Sequence, residues 1–240
     1  MSESETVTFT IDARKVSGKT TDTIVQAARE AGIYIPTLCH CPGVVSPGTC
    51  RVCTVKMNGR YVASCKTCVQ AGAKVEVDTP ELRELRKTLI EALFVAGNHF
   101  CPACEKSGNC ELQALAYRLG ILAPRFDFQF PRRAVEARPR KLMIDRNRCI
   151  LCKRCVLSIK DEKGEHLFTL SNRGHAAMVM VDLEKADALE DEMAQKAMDT
   201  CPVGAIIRKG RGFVEPVGTR RYDKAVIGSD IQECSLKTEK

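Results

Sequence analysis

Cysteines in short, tight clusters constrain this chain more than any other feature. Fourteen are present, gathered as Cys39/Cys41, Cys50/Cys53, Cys65/Cys68, Cys101/Cys104/Cys110 and Cys149/Cys152/Cys155, with Cys201 and Cys234 standing apart. Loop-closing disulfides spread their cysteines along a chain, whereas metal sites bunch them, because several thiolates must converge on one place. The chain is therefore expected to fold around metal in a reducing compartment.

The remaining composition narrows the class. At 240 residues and 44% apolar, the chain is long enough for one sizeable domain or two to three small ones. The opening MSESETVTFTIDARK lacks the apolar core of a secretory signal, and no run approaches ~18 consecutive apolar residues, so a cytoplasmic protein without a membrane span is expected. The formal charge of +7 counts every cysteine as neutral. Three oxidised clusters of roughly −1 to −2 each would cancel about five of those charges. With four Tyr, eight Phe and no Trp to stack on bases, a nucleic-acid partner is not expected.

The elements predict an α+β protein. Val7 to Ile11 alternates apolar with polar and Val16 resumes after a turn, which predicts a hairpin. Thr21 or Asp22 is placed to cap a helix that Gly32 ends. Val52 to Met57 and Arg60 to Ser64 flank Asn58-Gly59, a type I′ turn pair, and KVEVD from Lys74 supplies another strand. Thr79-Pro80 starts a helix carrying Leu82, Leu85, Leu89 and Leu93 on one face as far as Gly97, and Glu111 to Leu119 forms a second. Residues 121–140, rich in Pro and Arg, read as a linker. A third unit runs from about 141 to 214, with strands at Leu142 to Ile144 and Met178 to Val181 and a helix near Ala188 to Met198. The tail 215–240 reads as a surface extension, or as a segment that docks on a partner.

Three constellations carry the chemistry. Cys50 and Cys53 form a C-x2-C core, preceded by Cys39 and followed by Cys65 at the end of the Asn58-Gly59 hairpin; Cys41 and Cys68 are alternatives to the outer pair. Four thiolates so arranged suit two iron atoms bridged by sulfide, and also suit zinc. Cys101, Cys104 and Cys110 have His99 as a nearby fourth donor, with Asn98, Glu105 and Ser107 as weaker or worse-placed alternatives. Three cysteines and one histidine also leave zinc or iron open. Cys149, Cys152 and Cys155 with the distant Cys201-Pro202 are more specific: C-x2-C-x2-C with a remote Cys-Pro is how bacterial ferredoxins hold one 4Fe-4S cube. Ile159 stands where a second cube would need its ligand, so one cluster is expected here.

IPTLC (35–39), GTCRVC (48–53), VASC (62–65), NHFCPACEKSGNCELQ (98–113) and CILCKRC (149–155), in this order and with Cys201, resemble the N-terminal part of the large iron–sulfur subunit of respiratory complex I. GNHFCPACEKSGNCELQALAYRLG, in a chain that stops soon after Cys201, is especially similar to the small diaphorase-module (U or gamma) subunits of cytoplasmic NAD-reducing nickel–iron hydrogenases. The resemblance implies a β-grasp 2Fe-2S domain over 1–78, a small helical 4Fe-4S domain over 79–120 and a bacterial-ferredoxin-like 4Fe-4S domain over 141–214. It implies Cys39, Cys50, Cys53 and Cys65 as 2Fe-2S ligands; His99, Cys101, Cys104 and Cys110 as ligands of one 4Fe-4S cluster; and Cys149, Cys152, Cys155 and Cys201 as ligands of the other. Relatives usually carry H-x3-C at the middle motif, whereas here Phe100 alone separates His99 from Cys101.

No G-x-G-x-x-G follows a strand, so FMN and NAD are expected on a partner diaphorase subunit, alongside small and large nickel–iron hydrogenase subunits. The chain itself is expected to relay single electrons and to carry no catalytic residue of its own. The same relay in an NAD-linked formate dehydrogenase or complex I-like enzyme, and a zinc-dependent binding protein, are the alternatives.

Overall fold

The computed structural model describes residues 5–236, with side chains as far as 232. Cys234, read as a structural cysteine, lies outside the described side chains.

Strands β1 (Thr6–Ile11) and β2 (Arg14–Lys19) pair antiparallel with Phe9 opposite Val16. A second hairpin joins β3 (Thr54–Met57) to β4 (Arg60–Ala63), and Asn58 and Gly59 take the positive φ values of 49° and 80° that a type I′ turn demands. Between the hairpins lies β5 (Lys74–Glu76), parallel to β1 and antiparallel to β3, giving the order β2-β1-β5-β3-β4. Helix α1 (Ile24–Glu30) buries Ile24, Val25, Ala27 and Ala28 in the same core as Phe9, Ile11, Val55 and Val75. Its N-cap is Thr23, just beyond the expected Thr21 or Asp22: Gln26 reaches back to accept the Thr23 N–H at 2.8 Å.

Helix α2 (Pro80–Val95) begins as Thr79-Pro80 predicts, with Thr79 Oγ1 accepting the Leu82 N–H at 3.2 Å. Leu82 and Ile90 are buried on its inner face, and so is Arg86, which is only 3% exposed. Its guanidinium donates to the carbonyls of Val52 (3.3 Å), Val77 (2.7 Å) and Thr54 (2.9 Å), anchoring α2 to the N-terminal sheet. Burial lowers the pKa of Arg86, but an arginine stays charged, so three carbonyl dipoles do the compensating. Helix α3 (Glu111–Arg118) follows and closes at Gly120, φ 66°.

Residues 121–140 are a fastened strap. Gln129 N–H donates to the Val95 carbonyl at the end of α2, Asn98 Nδ2 donates to the Pro131 carbonyl, and Arg125 pairs with Glu84 and Glu91. The strap ends in β6 (Val135–Glu136), which pairs with β7 (Leu142–Asp145). Beyond β7 come α4 (Arg154–Ser158), the hairpin of β8 (Phe168–Ser171) with β9 (Met178–Val181), α5 (Leu183–Asp187), α6 (Asp191–Thr200) and β10 (Ile206–Arg208). β10 returns to pair antiparallel with β7, Ile206 opposite Ile144. The tail carries α7 (Arg221–Lys224) and α8 (Ser229–Leu236) and packs back onto its own chain, where a surface extension or a partner-docking segment was expected.

Two hydrophobic cores result. One belongs to the N-terminal sheet, and the other is shared by the middle and third units, with Leu112, Leu115, Leu142, Phe168 and Ile206 in it. Leu38 and Val52, each beside a cysteine of the first constellation, are fully buried in the second core, so the first cysteine loop is packed on the rest of the protein. Among the described residues, no helix is long and apolar enough to cross a membrane.

Three candidate iron–sulfur sites

The first site forms where the loop between α1 and β3 meets the end of β4. Arg51 at φ 59° turns the chain between Cys50 and Cys53. Cys39, Cys53 and Cys65 are buried and Cys50 is half-buried. Cys53 and Cys65 Sγ are 3.3 Å apart, close to the roughly 3.8 Å between two thiolates on one tetrahedral metal with bonds of about 2.3 Å. Hydrogen bonds from Cys50 and Cys65 hold the Cys39 thiol far below its ordinary pKa, and one from Cys65 lowers Cys53 to about 6. The same contacts push Cys50 and Cys65 up. The four side chains therefore form one chain of contacts, Cys50 to Cys39 to Cys65 to Cys53. Cys68 is exposed, Cys41 is half-buried, and neither enters this network.

At the middle site, Cys101 opens a 3-10 turn (Cys101–Ala103), Cys104 follows it, and Cys110 is the N-cap of α3 with its Sγ accepting the Gln113 N–H at 3.5 Å. Burial pushes the Cys110 thiol up to about 12, against the pull of that N–H and of the other N-terminal amides. His99 stacks edge-on against Phe94 with ring centroids 5.5 Å apart. Burial, then the nearby Arg148 charge, lowers its pKa to about 4, so the imidazole is neutral at pH 7. Its Nε2 is buried without a hydrogen-bond partner. The ring sits so close over Gly97 that a Cβ there would lie 2.6 Å from Nε2.

The rival donors are mostly engaged. Glu105 is bonded to Arg148, Ser107 to Gln113, and Asn98 uses its amide nitrogen on Pro131. His99 Nε2 and Asn98 Oδ1 are the buried acceptors left unpaired among these four, and imidazole is the better iron donor of the two.

The third site is closed by strand pairing. Because β10 lies beside β7, the loop after β7 and the Cys201-Pro202 turn before β10 face each other; the Asp145 N–H bonds the Ala205 carbonyl at 2.8 Å. Leu151 (φ 53°) and Lys153 (φ 63°) take left-handed conformations that turn the chain sharply between Cys149, Cys152 and Cys155. Burial raises all three thiols, Cys149 to about 11, and Cys201 adds to the rise in each. The distant fourth cysteine thus faces the triplet. Ile159 is fully buried in the core, where it provides packing.

The middle and third sites abut. The Glu111 N–H donates to the Pro202 carbonyl at 2.8 Å, Arg154 and Glu111 form a two-armed ion pair at 2.7 Å for each arm, and Lys106 Nζ donates to the Met198 carbonyl near the end of α6. The spacing of cysteines signals none of these cations. Only their placement beside ligand positions, as Arg148 before Cys149 and Arg154 before Cys155, hints at a role.

Each donor set fits an iron–sulfur cluster in kind: four neighbouring cysteines at the first and third sites, and three cysteines with a neutral, unpaired imidazole nearby in the chain at the second. The comparisons agree. Residues 4–80 match the family described as 2Fe-2S iron-sulfur cluster binding domain, 86–125 the NADH-ubiquinone oxidoreductase-G iron-sulfur binding region, and 140–207 the NADH-quinone oxidoreductase subunit 3 ferredoxin-like domain. The 78 kDa subunit of mitochondrial NADH-ubiquinone oxidoreductase from Candida albicans is 34% identical over 94% of this chain, which spans only 32% of that protein. The gamma subunit of the NAD-reducing hydrogenase HoxS from Cupriavidus necator is 43% identical over 90% of this chain and 93% of its own. A chain in the crystal structure of an NAD+-reducing NiFe-hydrogenase in the H2-reduced state superposes with a TM-score of 0.83 at 41% identity, covering 91% of this chain and 94% of that one. The chain belongs to the family of the NAD-reducing hydrogenase gamma subunit, iron–sulfur electron-transfer subunits that share their three cluster-binding regions with complex I.

Proposed function

We propose that this chain relays single electrons between a nickel–iron hydrogenase pair of subunits and a flavin- and NAD-binding diaphorase subunit in the cytoplasm. Cys39, Cys50, Cys53 and Cys65 hold the 2Fe-2S cluster within 1–78. His99, Cys101, Cys104 and Cys110 hold a 4Fe-4S cluster within 79–120, and Cys149, Cys152, Cys155 and Cys201 hold the second within 141–214. The observation that carries the reading is the similarity to a hydrogenase gamma subunit over nearly the whole of both chains.

The clusters, when bound, supply reversible one-electron storage. The chain's part is to bind them and exclude water. Most ligand sulfurs are 8% exposed or less, and Cys50, Cys101 and Cys149 are the half-buried members of their sets. Low exposure favours the less charged oxidation state, while N–H groups aimed at sulfur, such as that of Gln113 at Cys110, favour the more reduced one. At the middle site a neutral imidazole replaces one thiolate, which removes a negative charge from that cluster and raises its potential relative to an all-cysteine site.

Anaerobic purification of the chain with its natural partners tests the reading. About ten irons per chain with matching acid-labile sulfide are expected, in a complex that contains nickel. A colourless chain with zinc and no sulfide would point to a zinc-dependent binding protein instead, and a molybdenum-containing partner would assign the relay to a formate dehydrogenase.

A further inference from the structure

Arg148 occupies the seam between the middle and third sites. It immediately precedes Cys149, yet its guanidinium reaches across to the other site. Nη1 donates to Cys104 Sγ at 3.7 Å, to the Gly204 carbonyl at 3.4 Å and to a Glu105 carboxylate oxygen at 3.1 Å, while Nε pairs with Asp145 at 3.0 Å. The side chain is 17% exposed, so water screens it little. Gly204, just after Cys201-Pro202, presses on the same sulfur: a Cβ there would lie 2.5 Å from Cys104 Sγ. Cys104 is therefore touched by both arms of the third site, the arm before Cys149 and the arm after Cys201.

A cation donating to a ligand sulfur stabilises the extra negative charge of the reduced cluster and so raises its potential. Arginine stays protonated, so this charge is permanent. Asp145 on Nε and Glu105 on the same Nη1 that reaches Cys104 hold the guanidinium in place. Removing it deletes the N–H to sulfur and leaves two carboxylate charges nearby without their cation, and both changes push the potential down. The sign does not depend on how far the carboxylates offset the guanidinium in the intact protein.

We infer that Arg148 is a positioning residue that raises the reduction potential of the middle cluster through Cys104 and thereby sets its poise against the third. This rests on the cluster assignment proposed above. EPR-monitored redox titration of the purified complex carrying Arg148→Gln or Arg148→Lys tests it. In Arg148→Gln the reduction equilibrium constant of the middle 4Fe-4S cluster is expected to fall about tenfold, about 59 mV for one electron, with a smaller fall at the third cluster. Arg148→Lys keeps the charge without the fork and is expected to lose about threefold.

An unchanged middle potential, or equal falls at both 4Fe-4S clusters, would overturn the inference. So would loss of the middle signal in either variant, which would make Arg148 a residue that holds the site instead of tuning it. Absence of a middle signal from the unsubstituted complex would instead be a failure of the cluster assignment.

Discussion

Arg220 Nη1 lies 2.6 Å from the carbonyl oxygen of Ser107, tying the tail to the loop between Cys104 and Cys110. The same nitrogen donates to the Glu105 carbonyl at 2.8 Å, Nε and Nη2 donate to the Glu215 carbonyl, and Arg220 is only 2% exposed. The Tyr222 N–H adds a bond to the Gly108 carbonyl, and Arg221 N–H one to Asn109 Oδ1. Residues 215–223 thus clamp the loop whose two ends, Cys104 and Cys110, are proposed ligands of the middle site.

Arg220→Ala is expected to lower iron at the middle site, because the carbonyls of Glu105, Ser107 and Glu215 lose their shared donor, while none of these bonds reaches the loop of the first site. Gly108→Ala strains the same clamp from the other side. Gly108 has φ 78°, and an added Cβ would meet Asp223 Oδ2 at 2.5 Å, at a cost of about 1–3 kcal/mol. EPR of both variants checks this: the 2Fe-2S signal stays and the middle 4Fe-4S signal weakens. Full-strength middle signals in both would show that the clamp is dispensable.

The clamp also shows what could be read from residues and what could not. Asn58-Gly59 and Thr79-Pro80 each mark structure through a short-range rule, and the hairpin and the helix stand where the rule puts them. Arg220, Arg86 and Arg148 act on carbonyls and sulfur from residues distant in sequence, and no local pattern records which carbonyl an arginine will find. Strands β6, β8 and β10 are not among those expected from the sequence, and each is set by its pairing with a neighbouring strand. The tail's bland composition concealed a buried cation for the same cause.

His99 offers a sharper test of the middle site. With its pKa lowered to about 4 by burial, the imidazole has no proton to lose before taking a metal at pH 7, and its Nε2 has no hydrogen-bond partner. His99→Ala is expected to abolish or reshape the middle EPR signal. His99→Cys is expected to keep a cluster but lower its potential, since a thiolate adds one negative charge that imidazole does not. If both variants give the spectrum of the unsubstituted protein, His99 is not a ligand.

At the first site, Cys65 and Cys68 lie three residues apart and separate cleanly. Cys65 Sγ is buried against Cys53, whereas Cys68 is exposed in an isolated bridge opposite Thr23. Cys65→Ser is expected to remove or strongly alter the 2Fe-2S signal, and Cys68→Ser to leave it intact. Visible absorption and EPR of the two purified variants suffice, and the reverse pattern would reassign the ligand.

Arg154 and Glu111 join the middle and third sites by an ion pair that is poor in solvent, with side chains 8% and 22% exposed. Glu111 follows Cys110 and Arg154 precedes Cys155, so the pair fixes one ligand loop against the other. Arg154 has no comparable alternative acceptor: its Nε is buried without a partner, and Glu111 takes both terminal nitrogens. Glu111→Gln therefore leaves a buried guanidinium uncompensated, which costs about 3–5 kcal/mol for a fully buried pair and about 2–3 kcal/mol here, since Glu111 keeps some contact with water. Arg154→Met removes the cation and fills its space with apolar atoms, so the double variant Glu111→Gln/Arg154→Met is expected to be more stable than Glu111→Gln alone. Thermal unfolding of the anaerobic complex measures both. If the double variant instead falls by the sum of the two single losses, the two residues act independently and the pair does not couple the sites.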